Sequence, residues 1–242
     1  MKEKLVGYVI NSIDYKDSDS ILSILCKDGI TSLRARGVKK INSKNASSVM
    51  NYAYSEFEVS RSSKSGYLTL SEGKLIEYPS FISNNLEYIS VINLVSEGIE
   101  LIDDKSDSFE CFVDCLDAMK SDYNSKLILV AFLNYFLNKQ GISLNADECI
   151  TCGKKDGIVK FSFENGGYIC KRCHNGLNDE LDYLKNMRIM AKINYSNISK
   201  VDVSDLYAYK YIKEVIGLIE NKIGIYFKSK SFLLRVLKRE EI

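Results

Sequence analysis

The stretch Cys149–Cys173 reads CITCGKKDGIVKFSFENGGYICKRC. It holds two Cys-x-x-Cys pairs, Cys149/Cys152 and Cys170/Cys173, on either side of Gly153–Ile169. Zinc takes soft ligands in a tetrahedron, and each Cys-x-x-Cys turn places two thiolates on one side of the metal. The separation of the pairs falls inside the roughly 15–20-residue window of four-cysteine zinc sites. Between them Ile158, Val159, Phe161 and Phe163 are apolar and Gly166-Gly167 can turn, so a small β-hairpin is predicted to bring the pairs together. Gly153 and Gly176 suit the tight backbone of a metal knuckle. Lys154, Lys155, Lys171 and Arg172 stand where they offset the negative charge of four thiolates on one dication. Such a site binds one zinc and is structural, because protein fills all four positions and leaves none for water or substrate. His174, next to Cys173, is expected to face solvent. Redox or disulfide readings of the same pairs need an oxidising compartment or a thioredoxin-like βαβ context, and the sequence offers neither.

Outward from the knuckle, apolar residues recur every three to four positions. Leu86, Ile89, Leu94 and Leu101 predict one helix, and Phe109, Phe112, Val113, Leu116 and Met119 a second, capped by Ser106 or Asp107. Leu127–Leu137 is apolar all round and is expected to be a buried central helix stopped at Gly141. A short helix over Asp182–Lys192 and a longer one over Asp205–Ile223, ended by Gly224, follow. The knuckle is therefore an insertion at 149–176 in a helical domain, 81–242, and the metal pins an excursion too poor in apolar surface to fold alone.

Ahead of Pro79, the one proline, the period is two. Leu5–Ile13 alternates, with Leu5, Gly7 and Val9 on one face, until the polar run Asp14–Asp19 is expected to break it. Ser20–Cys26 and Ile30–Ala35 flank an Asp28-Gly29 turn; Gly37–Ser48 is expected to be a flexible polar loop. Tyr52–Val59 and Tyr67–Ile76, with Ser65-Gly66 between them, complete five strands. Five strands with no crossover helix predict a small closed barrel over 1–80, an OB-fold, with an SH3-like barrel as the alternative. The fold class is thus α+β: an N-terminal five-stranded OB-fold barrel followed by an α-helical domain carrying a four-cysteine zinc knuckle.

The 242 residues are 45% hydrophobic and 27% charged, with a net charge of +1, the profile of a globular protein with a core. No apolar run is long enough to span a bilayer and no signal peptide is visible, so a cytoplasmic location without membrane association is expected. Cys26, Cys111 and Cys115, left over from the seven cysteines, are expected to be buried thiols of a reducing compartment. Charge is unevenly spread. Gly29–Ser55 holds no acid but carries Arg34, Arg36, Lys39, Lys40 and Lys44; Glu97–Asp122 is acidic; Lys222, Lys228, Lys230, Arg235, Lys238 and Arg239 make the end basic. Positive charge on a barrel, with Tyr8, Tyr15, Tyr52, Tyr54 and Tyr67 as candidate stacking platforms, points to single-stranded nucleic acid, with Arg34, Arg36, Lys39, Lys40 and Lys44 on the phosphates. No Gly-rich phosphate loop, nucleophile with a base, or metal site with a vacancy is present, so neither an enzyme nor a small-molecule substrate is expected.

Four segments, in order, resemble the RecO family of bacterial DNA repair proteins, and the likeness spans the chain. DYKDSDSILSIL (Asp14–Leu25) is similar to that family's opening hairpin and LRARGVKK (Leu33–Lys40) to its basic Ala-Arg-Gly loop; the cysteine pairs occupy the family's place, and IGIYFKSKSFL (Ile223–Leu233) resembles its C-terminal signature. The resemblance implies a non-enzymatic, nucleoid-associated recombination mediator. Such a protein binds single- and double-stranded DNA, anneals complementary strands, and helps RecA replace single-stranded-DNA-binding protein. Its implied partners are RecR and the acidic C-terminal tail of that binding protein; Lys228, Lys230 and Arg235 are the candidate contacts for the tail carboxylates. The chain departs from the family in its basic loop, diluted by Ile41-Asn42-Ser43 and Asn45–Ser48. The alternative from another class is a zinc-stapled protein–protein adaptor without direct DNA binding.

Overall fold

Alternating apolar residues build five strands: β1 (Lys2–Tyr15), β2 (Asp19–Cys26), β3 (Gly29–Ala35), β4 (Tyr54–Arg61) and β5 (Leu68–Glu77). The computed structural model, which describes residues 2–61 and 66–238, closes them into a barrel in the order β1-β2-β3-β5-β4. Among the described strands of the barrel, β3 and β5 alone pair in parallel. This is the OB-fold order, in which β1 serves both edges. Its first half pairs with β4 and its second with β2, and a register shift between Val9 and Asn11 bends it from one partner to the other. Gly7 permits the bend: a Cβ there would lie 2.4 Å from the carbonyl oxygen of Leu25. Val9, Leu22, Ile24, Leu33, Phe57 and Val59 fill the interior. This compact unit comprises Met1–Asn85 with Ile99–Val113, and a second comprises Leu86–Gly98 with Asp114–Ile242.

Three local expectations change. Strand β1 outlasts the start of its polar run, with Asp14 opposite Ser20, and the chain turns only at Lys16, whose φ is 57°. Tyr52 is not in β4. Its φ is 71° and its N–H donates to the Val9 carbonyl at 2.7 Å, so the strand begins at Tyr54. The connection from β3 to β4 is a folded cap and not a loose loop: Val38 is buried in the barrel core, and successive turns link Lys40 to Gly37 and Ser43 to Lys40. Asn45 Oδ1 accepts from the Gly73 N–H at 3.0 Å, and a Cβ on Gly73 would strike Ser48 Oγ at 2.2 Å. A polar sequence can pack this way because its polar atoms are satisfied internally. Ser65, in the expected β4–β5 turn, lies outside the described residues, as does Arg239.

The remaining elements are α1 (Ser80–Ser83), α2 (Leu86–Leu101), α3 (Ser108–Lys120), α4 (Ser125–Lys139), the hairpin β6 (Ile158–Ser162) and β7 (Gly167–Cys170), α5 (Leu181–Lys192), α6 (Asp205–Ile223) and α7 (Lys230–Leu237). Helix α4 is the buried centre of the second unit; Asn124 caps it by accepting from the amides of Lys126 and Leu127. Gly98 of α2 lets it press on α4, since a Cβ would lie 2.5 Å from Phe132 Cζ. Asn134 joins α4 to α5 and α6. Its amide donates to the carbonyls of Met190 (2.8 Å) and Ile193 (2.9 Å) and accepts from Tyr211 Oη (2.8 Å). Gly224, at φ 74°, ends α6 with its N–H on the Glu220 carbonyl. The single turn α1 is too short to show periodicity. In α7 the basic residues dominate the sequence pattern, although Leu233, Val236 and Leu237 bury the helix's other face. None of the seven cysteines forms a disulfide; Cys111 and Cys115 are buried as expected, but Cys26 only partly.

Candidate metal centre and nucleic-acid interface

The β6–β7 pairing sets Ile158 opposite Cys170 and so brings the two knuckle turns together. The turn itself is Phe163–Gly166, closed by the Gly166 N–H on the Ser162 carbonyl at 3.0 Å. Gly167 serves a close approach instead. At φ 146° it lies against the Asn145 backbone, where a Cβ would meet the carbonyl oxygen at 2.0 Å. The Tyr168 N–H bonds that same carbonyl and the Ile150 N–H bonds Tyr168, which carries the first cysteine turn onto the hairpin. Asp179, unmarked in the sequence, secures the outer strand by accepting from the Phe161 N–H (2.8 Å) and from Lys160 Nζ (2.7 Å).

The result is a compact set of sulfur ligands. The four Sγ atoms of Cys149, Cys152, Cys170 and Cys173 all lie within 4.8 Å of one another, with Cys152 and Cys170 at 3.6 Å. A tetrahedral zinc with Zn–S bonds of about 2.3 Å needs sulfurs about 3.8 Å apart. The donor set and its spacing fit a metal ion. Burial pushes the Cys149 thiol up, but the amides of Cys170, Thr151 and Cys152 outweigh it and bring it to about 6. Hydrogen bonding with Cys152, then burial, raises Cys173 to about 12. Ionising all four in so small a volume would need a cation to balance the charge. His174 is not among these ligands; its Nε2 bonds the Leu177 carbonyl at 2.9 Å.

On the barrel the five basic candidates divide. Arg34 Nη2 donates to Asp19 Oδ2 at 2.7 Å, and its guanidinium lies 4.9 Å from the Tyr15 ring centroid. The hydrogen bond from Arg34, joined by the Gly37 N–H, holds the Asp19 carboxyl below its usual value. Lys39 Nζ meets Asp14 Oδ2 at 2.7 Å. Arg36, Lys40 and Lys44 are exposed and have no ion-pair partner among the described residues. The partners Asp14 and Asp19 come from the β1–β2 hairpin, which a search for bases alone passes over; the sequence DYKDSD is the available signal. Among the tyrosines, Tyr52 is buried, and Tyr8 packs on Tyr54 (4.6 Å between centroids), Phe109 (5.7 Å) and Phe112 (5.2 Å). The more open rings are Tyr15, 38% exposed, and Tyr67, 74% exposed.

At the C-terminal end, Lys230 Nζ is held by Glu220 at 2.6 Å. The Glu97 carboxylate accepts the amides of Lys228 and Ser229 and the Ser229 hydroxyl, which fixes the start of α7. Arg235 Nε donates to the Ser231 carbonyl, and the Lys228 and Arg235 side chains are exposed without a carboxylate partner among the described residues. No described helix is long and apolar enough to cross a membrane.

Comparison with known proteins adds identity to this geometry. The family model described as Recombination protein O N terminal matches residues 1–79, and the one described as Recombination protein O C terminal matches residues 85–231. A curated protein of Bacillus pumilus named DNA repair protein RecO is 25% identical over 239 residues, covering 95% of this chain and 93% of that one. A protein of the same name from Mesoplasma florum is 28% identical over 232 residues, covering 92% and 87%. Another, from Mycoplasma mycoides subsp. mycoides, is 30% identical over 182 residues, covering 72% and 73%.

Proposed function

The chain belongs to the Recombination protein O family of DNA repair proteins, and from that premise we propose that it is a recombination mediator. It binds single-stranded DNA, anneals complementary strands, and helps RecA displace single-stranded-DNA-binding protein, with RecR and the acidic tail of that binding protein as partners. It acts stoichiometrically on DNA in the cytoplasm, at the nucleoid, and turns over no substrate. The observation that carries this reading is an OB-fold barrel on which Arg36, Lys40 and Lys44 stand exposed without ion-pair partners among the described residues. Cations so placed neutralise phosphates and release counterions, so binding depends on salt more than on base sequence. Arg34 and Lys39 serve the same surface at one remove, by shaping the hairpin it rests on. Lys228 and Arg235 fit carboxylates of a docked tail, and Lys230 does so only if Glu220 releases it.

Cys149, Cys152, Cys170 and Cys173 hold one zinc ion, which ties the hairpin to its flanks and has no free position for chemistry. Titration of a labelled, unstructured oligonucleotide at two salt concentrations tests the main reading. A mediator binds at low salt and loses affinity steeply as salt rises. An adaptor that only holds proteins together binds at neither, and that result would reject the proposal.

A further inference from the structure

The second unit carries positive charge that the barrel reading leaves unused. On α5, Lys185, Arg188 and Lys192 follow at spacings of three and four, so they share one strip of the helix. Arg188 Nη2 lies 3.2 Å from Asp147 Oδ1, and Lys192 Nζ donates to the same oxygen. Lys155, from the first cysteine turn, reaches the same place: with Asp147, Arg188 and Lys192 it lines an open hollow of about 670 Å³, whose other charged wall is Glu148. Three cations thus border one hollow, and two of them hold the Asp147 carboxylate in it.

That carboxylate is a weak holder. Arg188, Lys192 and Asp147 are 54%, 44% and 58% exposed, and open ion pairs of this kind are worth only about 0–1 kcal/mol. Offsetting the charge of a metal–thiolate centre does not account for the cluster, because Arg188 and Lys192 reach Asp147 and not the sulfurs. Nor does the hollow resemble a protein dock: among the described residues no aromatic side chain lines it, and aromatic anchors carry much of the energy of protein hot spots. Lys154, Lys171 and Arg172 on the knuckle and Lys185 on α5 add exposed cations without ion-pair partners among the described residues.

We propose that Lys155, Arg188 and Lys192 form a second contact for a phosphodiester backbone, separate from the barrel residues, and that it takes the second strand during annealing. Asp147 is then a built-in competitor that keeps the site open to exchange, so strands are held loosely enough to find their pairing register. This rests on the mediator reading above, and explains how one chain screens two strands at once.

The test compares the full chain with Asp147→Asn and with a Lys155→Gln/Arg188→Gln/Lys192→Gln variant, after zinc content and thermal midpoint show both folded. The triple variant anneals complementary oligonucleotides about tenfold more slowly while its affinity for a first strand falls less than about threefold, because only the second set of counterions is no longer released. Asp147→Asn binds the second strand more tightly, by about threefold, and loses that gain at high salt. A scaffolding role for the cluster predicts no such gain. If both variants anneal and bind like the parent, the inference is overturned while the mediator reading stands. A parent that binds no oligonucleotide overturns both. Loss of a polyglutamate peptide from the triple variant with unchanged annealing makes the surface a dock for acidic protein and rejects the proposal.

Discussion

The cysteine knuckle and the basic cap of the barrel are about the same size and both rest on charge, yet the sequence discloses them to different degrees. In the knuckle every determinant is local. The ligands, their turns and the hairpin between them fall within Cys149–Cys173, and the four sulfurs meet within 4.8 Å. In the cap the basic residues are local but their counter-charges are not. Gly29–Ser55 holds no acid, yet Asp14 and Asp19 fold back from the β1–β2 hairpin to take Lys39 and Arg34. A metal site declares its whole coordination sphere in its spacing; a phosphate-binding surface declares only one sign of its charge.

The comparison breaks most sharply at the metal. On the zinc proposal, Cys149→Ser removes a buried ligand and the variant should bind no zinc. Metal binding and folding of such an element are one equilibrium, so the thermal midpoint should fall on the order of 10 °C for a loss of a few kcal/mol. Metal analysis of protein purified without added zinc, with a melting curve, checks both. A variant that keeps one zinc per chain shows that the four cysteines are not the site.

The cap should respond by degrees. Arg36→Ala/Lys40→Ala/Lys44→Ala removes three cations that no described ion pair engages, and should lower the slope of log affinity against log salt by about 2 for single-stranded DNA. Replacing Arg34 and Lys39 with Gln should change that slope less, because Asp19 and Asp14 already hold those charges. Equal slopes for the two variants would show that the hairpin acids do not matter to binding.

How far the sequence can be read follows from the same contrast. Period and capping disclose the strands, the buried α4 and the stop of α6 at Gly224, since each depends on residues within a few positions. What stays hidden depends on distant contacts. Tyr8 and Tyr54 read as open stacking faces because Phe109 and Phe112, which cover them, come from another part of the chain. Lys230 reads as a free cation because Glu220 sits across a helix end. The β3–β4 segment reads as a loose loop because Asn45 finds its partner, and Ser48 its close neighbour, at Gly73. In each case the residue type is right and its partner invisible.

Acid should separate the two regions again. Asp19 is depressed from a usual value of 3.8, so the folded state binds its proton less readily than the unfolded chain does. Its contribution is present above that value and is lost as pH falls through the lower, folded one. The parent should therefore lose more thermal stability than Asp19→Asn between neutral pH and about pH 3. The effect is small, because the pair is only one contact on an open hairpin. A variant with the same pH dependence as the parent would remove the Arg34–Asp19 pair from the barrel's stability.

The smallest effect is expected at His174, and it bears on what the knuckle is. A histidine next to Cys173 offers a fifth donor, and a three-cysteine, one-histidine site is a common form of structural zinc. Yet the His174 ring is turned to the Leu177 carbonyl, and a neighbouring backbone position cannot easily present a second ligand to a metal held by Cys173. His174→Gln keeps a hydrogen-bond donor for Leu177 and should leave zinc stoichiometry unchanged, with stability within about 0.5 kcal/mol of the parent. Cobalt substitution gives the direct readout, because the visible spectrum differs between four sulfurs and three sulfurs with a nitrogen. A spectrum that shifts on His174→Gln would place the imidazole on the metal and release one cysteine from it; Cys152, the exposed one, would be the thiol to examine.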